Sequence, residues 1–230
     1  MDCKNCKYKS AAFEKLTDEQ LFKVNEHRVE LTFKKGELLC KQGSFMSHII
    51  FVRKGFAKLY FESGDEKVVL GIAQPGTFIG IQALYGSPVF PFTVEALTNA
   101  EVCMKDIGVF RELVFENSEF ARGIIEVLNG NLSQAYNRMF SLTTKQLSGR
   151  FSELLFYFRN VLYESNPFQL TISRREIAEI VSTTPESVSR MISELKDQGV
   201  IEVKGHTIEI MDPQKLEDMC KCKSLLTFKI

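Results

Sequence analysis

Glu186 and Arg190 stand one helical turn apart in the run Pro185-Glu186-Ser187-Val188-Ser189-Arg190. An arginine fork can bridge O6 and N7 of guanine, and a carboxylate can accept from the cytosine amino group. Ser189 and Ser193 fall on the same polar face, while Val188, Met191, Ile192 and Leu195 fall on the opposite, apolar one. The Glu–Arg spacing also suits a plain i, i+4 surface ion pair, so the two residues alone leave both readings open. A second set of reactive groups is sulfur. Cys3-x-x-Cys6 has the compact spacing of metal or iron–sulfur ligands. Cys220-x-Cys222 is a looser pair. Free thiols are the plain alternative for both, and both pairs suit thiol redox switching.

The elements around Glu186 and Arg190 favour base reading. Ser173 is a good helix N-cap, and Glu176 three residues later completes a capping box. Ile177, Ile180 and Val181 mark one apolar face. Ser182-Thr183-Thr184 breaks that helix, Thr184 caps the next, and Pro185 takes its first position, where a missing N–H costs nothing. Gly199 ends the second helix. Two β-type runs, 200–203 and 207–210, follow around Lys204-Gly205-His206. The pattern predicts a helix-turn-helix with a β-hairpin wing, a device that places a few side chains in the DNA major groove.

The N-terminal half has a different texture. A short helix is predicted over 17–27. Short β-type runs then alternate with glycines at 36, 43, 55, 64, 76 and 80: 29–33, 38–40, 49–52, 56–61, 68–72, 93–96 and 101–104. Such spacing indicates an all-β barrel or jelly roll. A long helix is predicted over 117–143, where Phe120, Ile124, Val127 or Leu128, Ala135, Met139 and Leu142 recur near three-and-a-half-residue spacing. That stripe suits a two-stranded coiled coil or burial against the barrel. A palindromic DNA site needs a two-fold protein, which favours the dimer. A further helix over 148–164 leads to Asn166-Pro167. The expectation is an α+β chain: a jelly-roll-like β-roll over 1–116, a dimerisation helix over 117–145 and a winged helix-turn-helix over 146–230.

Composition sets weak bounds. The 230 residues are 44% hydrophobic with zero formal net charge, enough for one or two cored domains. Residues 151–230 hold ten Lys and Arg against twelve Asp and Glu, unlike the basic domain usual in a nucleic-acid binder. DNA-facing cations must therefore be local: Arg174, Arg175, Arg190, Lys204 and His206, with a modest salt dependence of binding. The first residues are polar and Lys-rich without an apolar leader run, and no run reaches the roughly 20 apolar residues of a membrane span. The expected setting is the cytoplasm, away from membranes, with cysteines as reduced thiols or metal ligands. No nucleophile–base pair, P-loop or zinc-hydrolase motif is present, so an enzyme is not expected. A redox or metal-storage protein is the competing class, and its function would survive loss of 150–230.

Residues 171–205 resemble the C-terminal domain of the Crp/Fnr family of bacterial transcription regulators, and the resemblance extends over nearly the whole chain. Gln74-Pro75-Gly76-Thr77-Phe78-Ile79-Gly80 resembles the family's cyclic-nucleotide-binding β-roll. Glu186-Ser187-Val188-Ser189-Arg190 resembles the oxygen-sensing Fnr branch. The cyclic-AMP receptor branch has Arg and Gly where Pro185 and Ser189 stand here. The resemblance implies double-stranded DNA with a TTGA-type inverted repeat as target, homodimerisation, and RNA polymerase as a partner. It places Arg174 on a phosphate, Glu186 and Arg190 on bases with Ser189 in support, and Ser193 and Lys204 nearby.

For the sensor, the same matching argues against cyclic AMP. The position of the family's ribose-binding Glu holds Ile81, its phosphate-binding Arg-Ser pair falls on Phe90-Pro91, and its adenine-contacting Thr falls near Ala135. No Lys, Arg or His occurs between Lys67 and Lys105, and a buried phosphate without a cation is heavily penalised. Phe78, Ile81, Tyr85, Phe90 and Phe92 make the region apolar. It is either a self-filled core or a pocket for a flat apolar ligand such as haem, with His48 as the available axial residue. Cys103 falls where the Fnr branch carries its distant iron–sulfur ligand, beside Cys3 and Cys6. The third N-terminal cysteine is missing, with Ala11-Ala12 in its place, so a [4Fe–4S] cluster would need Cys40 or a non-protein ligand. The effector stays open between a cluster, haem, thiol redox and none.

Overall fold

The computed structural model describes Cys3, Cys6 and residues 9–64, 66–220 and 227–228. It divides into two compact units: 1–62 with 72–133 and 228–230, and 63–71 with 134–227. The division falls inside the long helix, and the tip of one β-hairpin goes with the second unit.

The first unit begins with a short 3-10 turn, Phe13–Lys15, and α1 (Asp18–Glu26), whose N-cap Thr17 forms a capping box with Gln20. The strands are β1 (Arg28–Phe33), β2 (Leu38–Cys40), β3 (His48–Lys54), β4 (Ala57–Ser63), β5 (Glu66–Ala73), β6 (Phe78–Ile79), β7 (Thr93–Ala96) and β8 (Ala100–Asp106). They form two sheets, ordered β1-β8-β3-β6 and β5-β4-β7-β2, with Thr227–Phe228 on the β5 edge of the second. This is the roll that the glycine-punctuated runs predict. Gly80 shows why a glycine is needed: φ is +91°, and a Cβ there would meet Met46 Sδ at 2.5 Å. Among the elements that escape the sequence reading are one strand and one helix of this unit. One is the two-residue strand β6. The other is α2 (Ile107–Glu116), where Asp106 caps the helix through the Val109 amide although Val109, Phe110, Val114 and Phe115 are residue types that favour strands. Phe13, Phe51, Phe78, Phe110 and Phe120 pack ring to ring, with centroid separations of 4.8–6.0 Å, and fix the N-terminal turn to the core.

The long helix α3 (Ser118–Thr144) matches its predicted span. It carries two apolar stripes rather than one. Phe120, Ile124 and Val127 are buried in the first unit, where Gly123 lets the helix backbone approach Ala12. A separate stripe, Ile125, Leu132, Tyr136 and Met139, is exposed, with Tyr136 and Met139 each at 60%. The single expected stripe merged members of both, because 3.6- and 3.5-residue repeats drift apart slowly.

The second unit contains α4 (Leu147–Tyr157), continued by a π turn over Phe158–Leu162, then β9 (Phe168–Gln169), α5 (Arg174–Val181), α6 (Pro185–Asp197), β10 (Ile201–Lys204), β11 (Thr207–Ile210) and α7 (Pro213–Cys220). Its core is Phe151, Leu154, Phe158, Ile180, Val188 and Leu216. The strands are ordered β10-β11-β9, so the predicted hairpin gains a third strand. Gly199, at φ +69°, ends α6 as the sequence requires.

Candidate nucleic-acid interface and sensor pocket

The start of α5 follows its sequence signature. Ser173 Oγ accepts from the Glu176 amide at 3.2 Å, and Glu176 Oε2 accepts from the Ser173 amide at 2.6 Å. Ser182 turns left-handed at φ 54°, a conformation that lets the chain reverse within three residues. Thr184 then caps α6 by accepting from the Ser187 amide at 3.3 Å. Val188, Ile192 and Leu195 are buried and Met191 is half-buried. This fixes the rotation of α6 and leaves Glu186, Arg190 and Ser193 exposed, with Ser189 half-buried beside them.

The i, i+4 pair left open by the sequence does not form. Among the described residues Glu186 and Arg190 make no ion pair, whereas Arg175 and Glu179 on α5 do, at 3.6 Å. The Glu186 carboxyl instead accepts from its own backbone amide and from the Thr184 hydroxyl, which hold it below the ordinary carboxylate range. Arg190 therefore keeps its full donor fork. Ser189 and Ser193 donate back to the carbonyls of Pro185 and Ser189, at 3.0 and 3.2 Å. With these donors engaged, both hydroxyls present acceptor lone pairs outward. Arg174 is exposed at the first turn of α5. Lys204 is exposed on the wing, but its ammonium lies 2.9 Å from Glu202, which raises its pKa and reduces its value as a free cation. His206 is exposed at the wing turn and its carbonyl accepts from the Leu170 amide at 2.8 Å.

Two arginines that base-reading logic overlooks hold this motif from behind. Arg150 on α4 donates to the carbonyls of Val181 (2.8 Å) and Lys145 (2.7 Å) and reaches Ser182 (3.4 Å). Arg138 on α3, buried, donates to Ile180 (2.6 Å) and to Val69 on β5 (2.9 Å). Cations thus satisfy the orphan carbonyls at the C-terminus of α5, just before the turn. Burial drags the Arg138 pKa down to about 10, still charged at neutral pH. Beneath them lies a buried ion pair: Glu153 meets Lys145 at 3.1 Å and accepts from Ser141 at 2.8 Å, and Lys145 also approaches Cys220 Sγ at 3.6 Å. A lone basic residue beside an apolar helical stripe was the available signal. Cys222 lies outside the described residues.

In the first unit, Cys3, Cys6 and Cys103 line one pocket together with Lys9, Arg28, Arg53 and Lys105. The three cysteines that the sequence singles out together thus line the same pocket. Their neighbours are cations: Lys105 Nζ lies 3.2 Å from Cys3 Sγ and Arg28 Nη1 lies 3.9 Å from Cys103 Sγ. Glu30 pairs with both Arg28 and Arg53. The space in this pocket that a water-sized group can enter is about 20 Å³, room for about one water. No group of three or more His, Cys, Asp or Glu among the described residues could hold a metal ion. The described residues thus do not gather the thiolate set that an iron–sulfur cluster needs, and the Cys3 sulfur accepts from the Lys105 ammonium instead.

The expected effector residues differ in exposure. Phe78 belongs to the aromatic core, Ile81 is fully buried, Phe90 is buried, Phe92 is half-buried, and Tyr85 and Ala135 are exposed. The Phe90 amide donates to Ser44, so it is not free to meet a phosphate. A cation does approach from α2, but Arg111 donates to the carbonyls of Leu84 (2.6 Å) and Ala83 (3.5 Å). His48 is hydrogen-bonded to Ser47 at 2.8 Å and does not line the sulfur pocket.

Residues 30–117 match the cyclic nucleotide-binding domain model and residues 149–219 match the Crp-like helix-turn-helix domain model, together more than half of the chain. The chain belongs to the Crp/Fnr family of bacterial transcription regulators. It is 26% identical to the nitrogen fixation regulation protein FixK of Bradyrhizobium diazoefficiens, over 94% of this chain and 92% of that one. It is likewise 26% identical to the transcriptional activator protein FnrA of Stutzerimonas stutzeri, over 78% and 75%. The solved FixK2 from Bradyrhizobium japonicum superposes with a TM-score of 0.75 at 23% identity, covering 84% of this chain and 96% of that one. As a Crp/Fnr member, the chain is a transcription regulator that uses a DNA-binding helix-turn-helix. No described helix is long and apolar enough to cross a membrane.

Proposed function

We propose that this chain is a cytoplasmic homodimer that binds a TTGA-type inverted repeat and acts there on RNA polymerase. The polar face of α6 carries the reading: Glu186 held ionised, Arg190 without an ion pair among the described residues, and two serines presenting acceptors. Glu186 and Arg190 read base edges, Ser189 and Ser193 support them, and Arg174 meets a phosphate, with Lys204 a weaker electrostatic contact because of Glu202. The exposed stripe of α3 is the dimer seam, since a continuous apolar row on a solvent-facing helix needs a partner. Ala135, between Leu132 and Met139, belongs to this seam rather than to an adenine contact.

The roll works without cyclic AMP: Ile81 replaces the ribose-binding carboxylate, and the donors near Phe90 and Arg111 are already engaged. The regulator responds instead through the sulfur pocket, whose state biases α3 and so the pair of recognition helices. The test is fluorescence anisotropy of the full chain with TTGA inverted-repeat, half-site and scrambled duplexes, with and without cyclic AMP. The expected result is preference for the full repeat and no response to the nucleotide. Equal affinity for repeat and scramble would overturn it.

A further inference from the structure

Lys105 is the most exacting group in the first unit. The residue is 4% exposed. Its ammonium stands 4.9 Å from the Phe13 ring centroid and 5.8 Å from that of Phe51, and 3.2 Å from Cys3 Sγ. Among the described residues no carboxylate pairs with it. A buried ammonium normally requires an anion. Two ring faces compensate in part; the heteroatom offered to it is sulfur. Glu30, the carboxylate closest in role, is shared between Arg28 and Arg53, which flank Cys103. The pocket therefore has a positive group aimed at Cys3 and space for a very small molecule.

We propose that Cys3 is a hydroperoxide-oxidation site whose sulfur oxyanion is held by Lys105. The inference rests on the sulfur-pocket reading of the sensor and is independent of the DNA-reading face. The Cys3 sulfur attacks one peroxide oxygen, the S–O bond forms and the O–O bond breaks. The departing hydroxide takes up the thiol proton as water. Sulfur loses two electrons, and the peroxide gains them. The resulting sulfenic acid ionises against the Lys105 ammonium, giving the buried cation a counter-charge that no carboxylate among the described residues supplies. Phe13 touches both this site and α3: its ring centroid lies 4.9 Å from Lys105 Nζ and 5.8 Å from the centroid of Phe120. Oxidation at Cys3 is thereby placed where it can shift the packing of the helix.

The test treats the reduced full chain with hydrogen peroxide, traps sulfenic acid with dimedone and quantifies each cysteine by peptide mass spectrometry. Cys40 is the internal comparison, since burial pushes its thiol up to about 12. The expected result is at least tenfold faster labelling of Cys3 than of Cys40, reduced at least tenfold in Lys105→Met and retained in Lys105→Arg. Far-UV circular dichroism and binding to the TTGA duplex, measured on the same variants, separate loss of this chemistry from loss of the fold or of the DNA-reading function. Labelling of Cys3 no faster than Cys40, or unchanged in a folded Lys105→Met protein, would overturn the proposal. Stoichiometric iron on anaerobically purified protein, lost in Cys3→Ser, would overturn it too.

Discussion

At the residue scale, Arg190 and Arg138 should fail in different ways. Arg190 is exposed with no ion-pair partner among the described residues, so under the proposed reading Arg190→Ala removes a base contact and should cost roughly 1–3 kcal/mol on the TTGA repeat. Binding to scrambled duplex should change far less. Arg138 is buried and donates to the carbonyls of Ile180 and Val69. Arg138→Met should weaken both duplexes together, because it loosens the motif rather than its reading. Glu186 permits a pH argument. Its carboxyl lies below the ordinary value of 4.5, so it is ionised throughout the neutral range. A depressed carboxylate stabilises the fold above its unfolded pKa and loses that contribution as pH falls through the folded value. Repeat preference should therefore be flat from neutral pH down to the carboxylate range, as anisotropy at stepped pH would show. A change centred near neutrality would point to another group.

Elements are held by features of unequal visibility. The caps of α5 and α6 are local, so Ser173, Glu176, Thr184 and Pro185 announce them in the sequence. The buried pair Lys145–Glu153 joins α3's end to α4 and is tertiary. Removing one partner leaves an uncompensated buried charge, so Glu153→Ala should destabilise by about 3–5 kcal/mol in urea unfolding. Glu153→Leu combined with Lys145→Met should recover most of the loss. The α3 stripe gives a separate test. Leu132→Glu with Met139→Glu adds like charges at half-exposed seam positions. Sedimentation velocity should show a monomer with an unchanged circular dichroism spectrum. A dimer that persists would remove α3 from the interface.

On the scale of the whole molecule, the proposed function rests on two-fold pairing of two local readers. A helix-turn-helix dimer meets half-sites one DNA turn apart, about 34–36 Å. Inserting about five base pairs between the TTGA half-sites rotates one half-site by half a turn, and affinity should fall to that of a single half-site. The last third of the chain is not basic: residues 151–230 hold ten cationic against twelve acidic side chains. Salt should therefore weaken binding only modestly, since few phosphates are neutralised.

By itself the sequence determined most of the order of elements and which face of α6 is polar. Helix caps, turn residues and apolar periodicity act over a few neighbours, so Ser173 to Gly199 specify their own helices and the side of α6 that stays wet. It also located the roll through its glycines, and Cys3 and Cys6 by their spacing, while Cys103 came from the family resemblance. What it left undecided depended on partners far along the chain. The exposed and buried stripes of α3 lie side by side, and only packing against Ala12 and the aromatic core shows which is which. The cations were present in the sequence, but their use was not. Arg138 and Arg150 close the end of α5, Arg111 closes a turn in the roll, and Lys105 turns inward to Cys3 across 102 residues. Side-chain charge is written locally, but the group that neutralises it is chosen by the fold, because burial makes an unpaired charge costly only once the chain has closed around it.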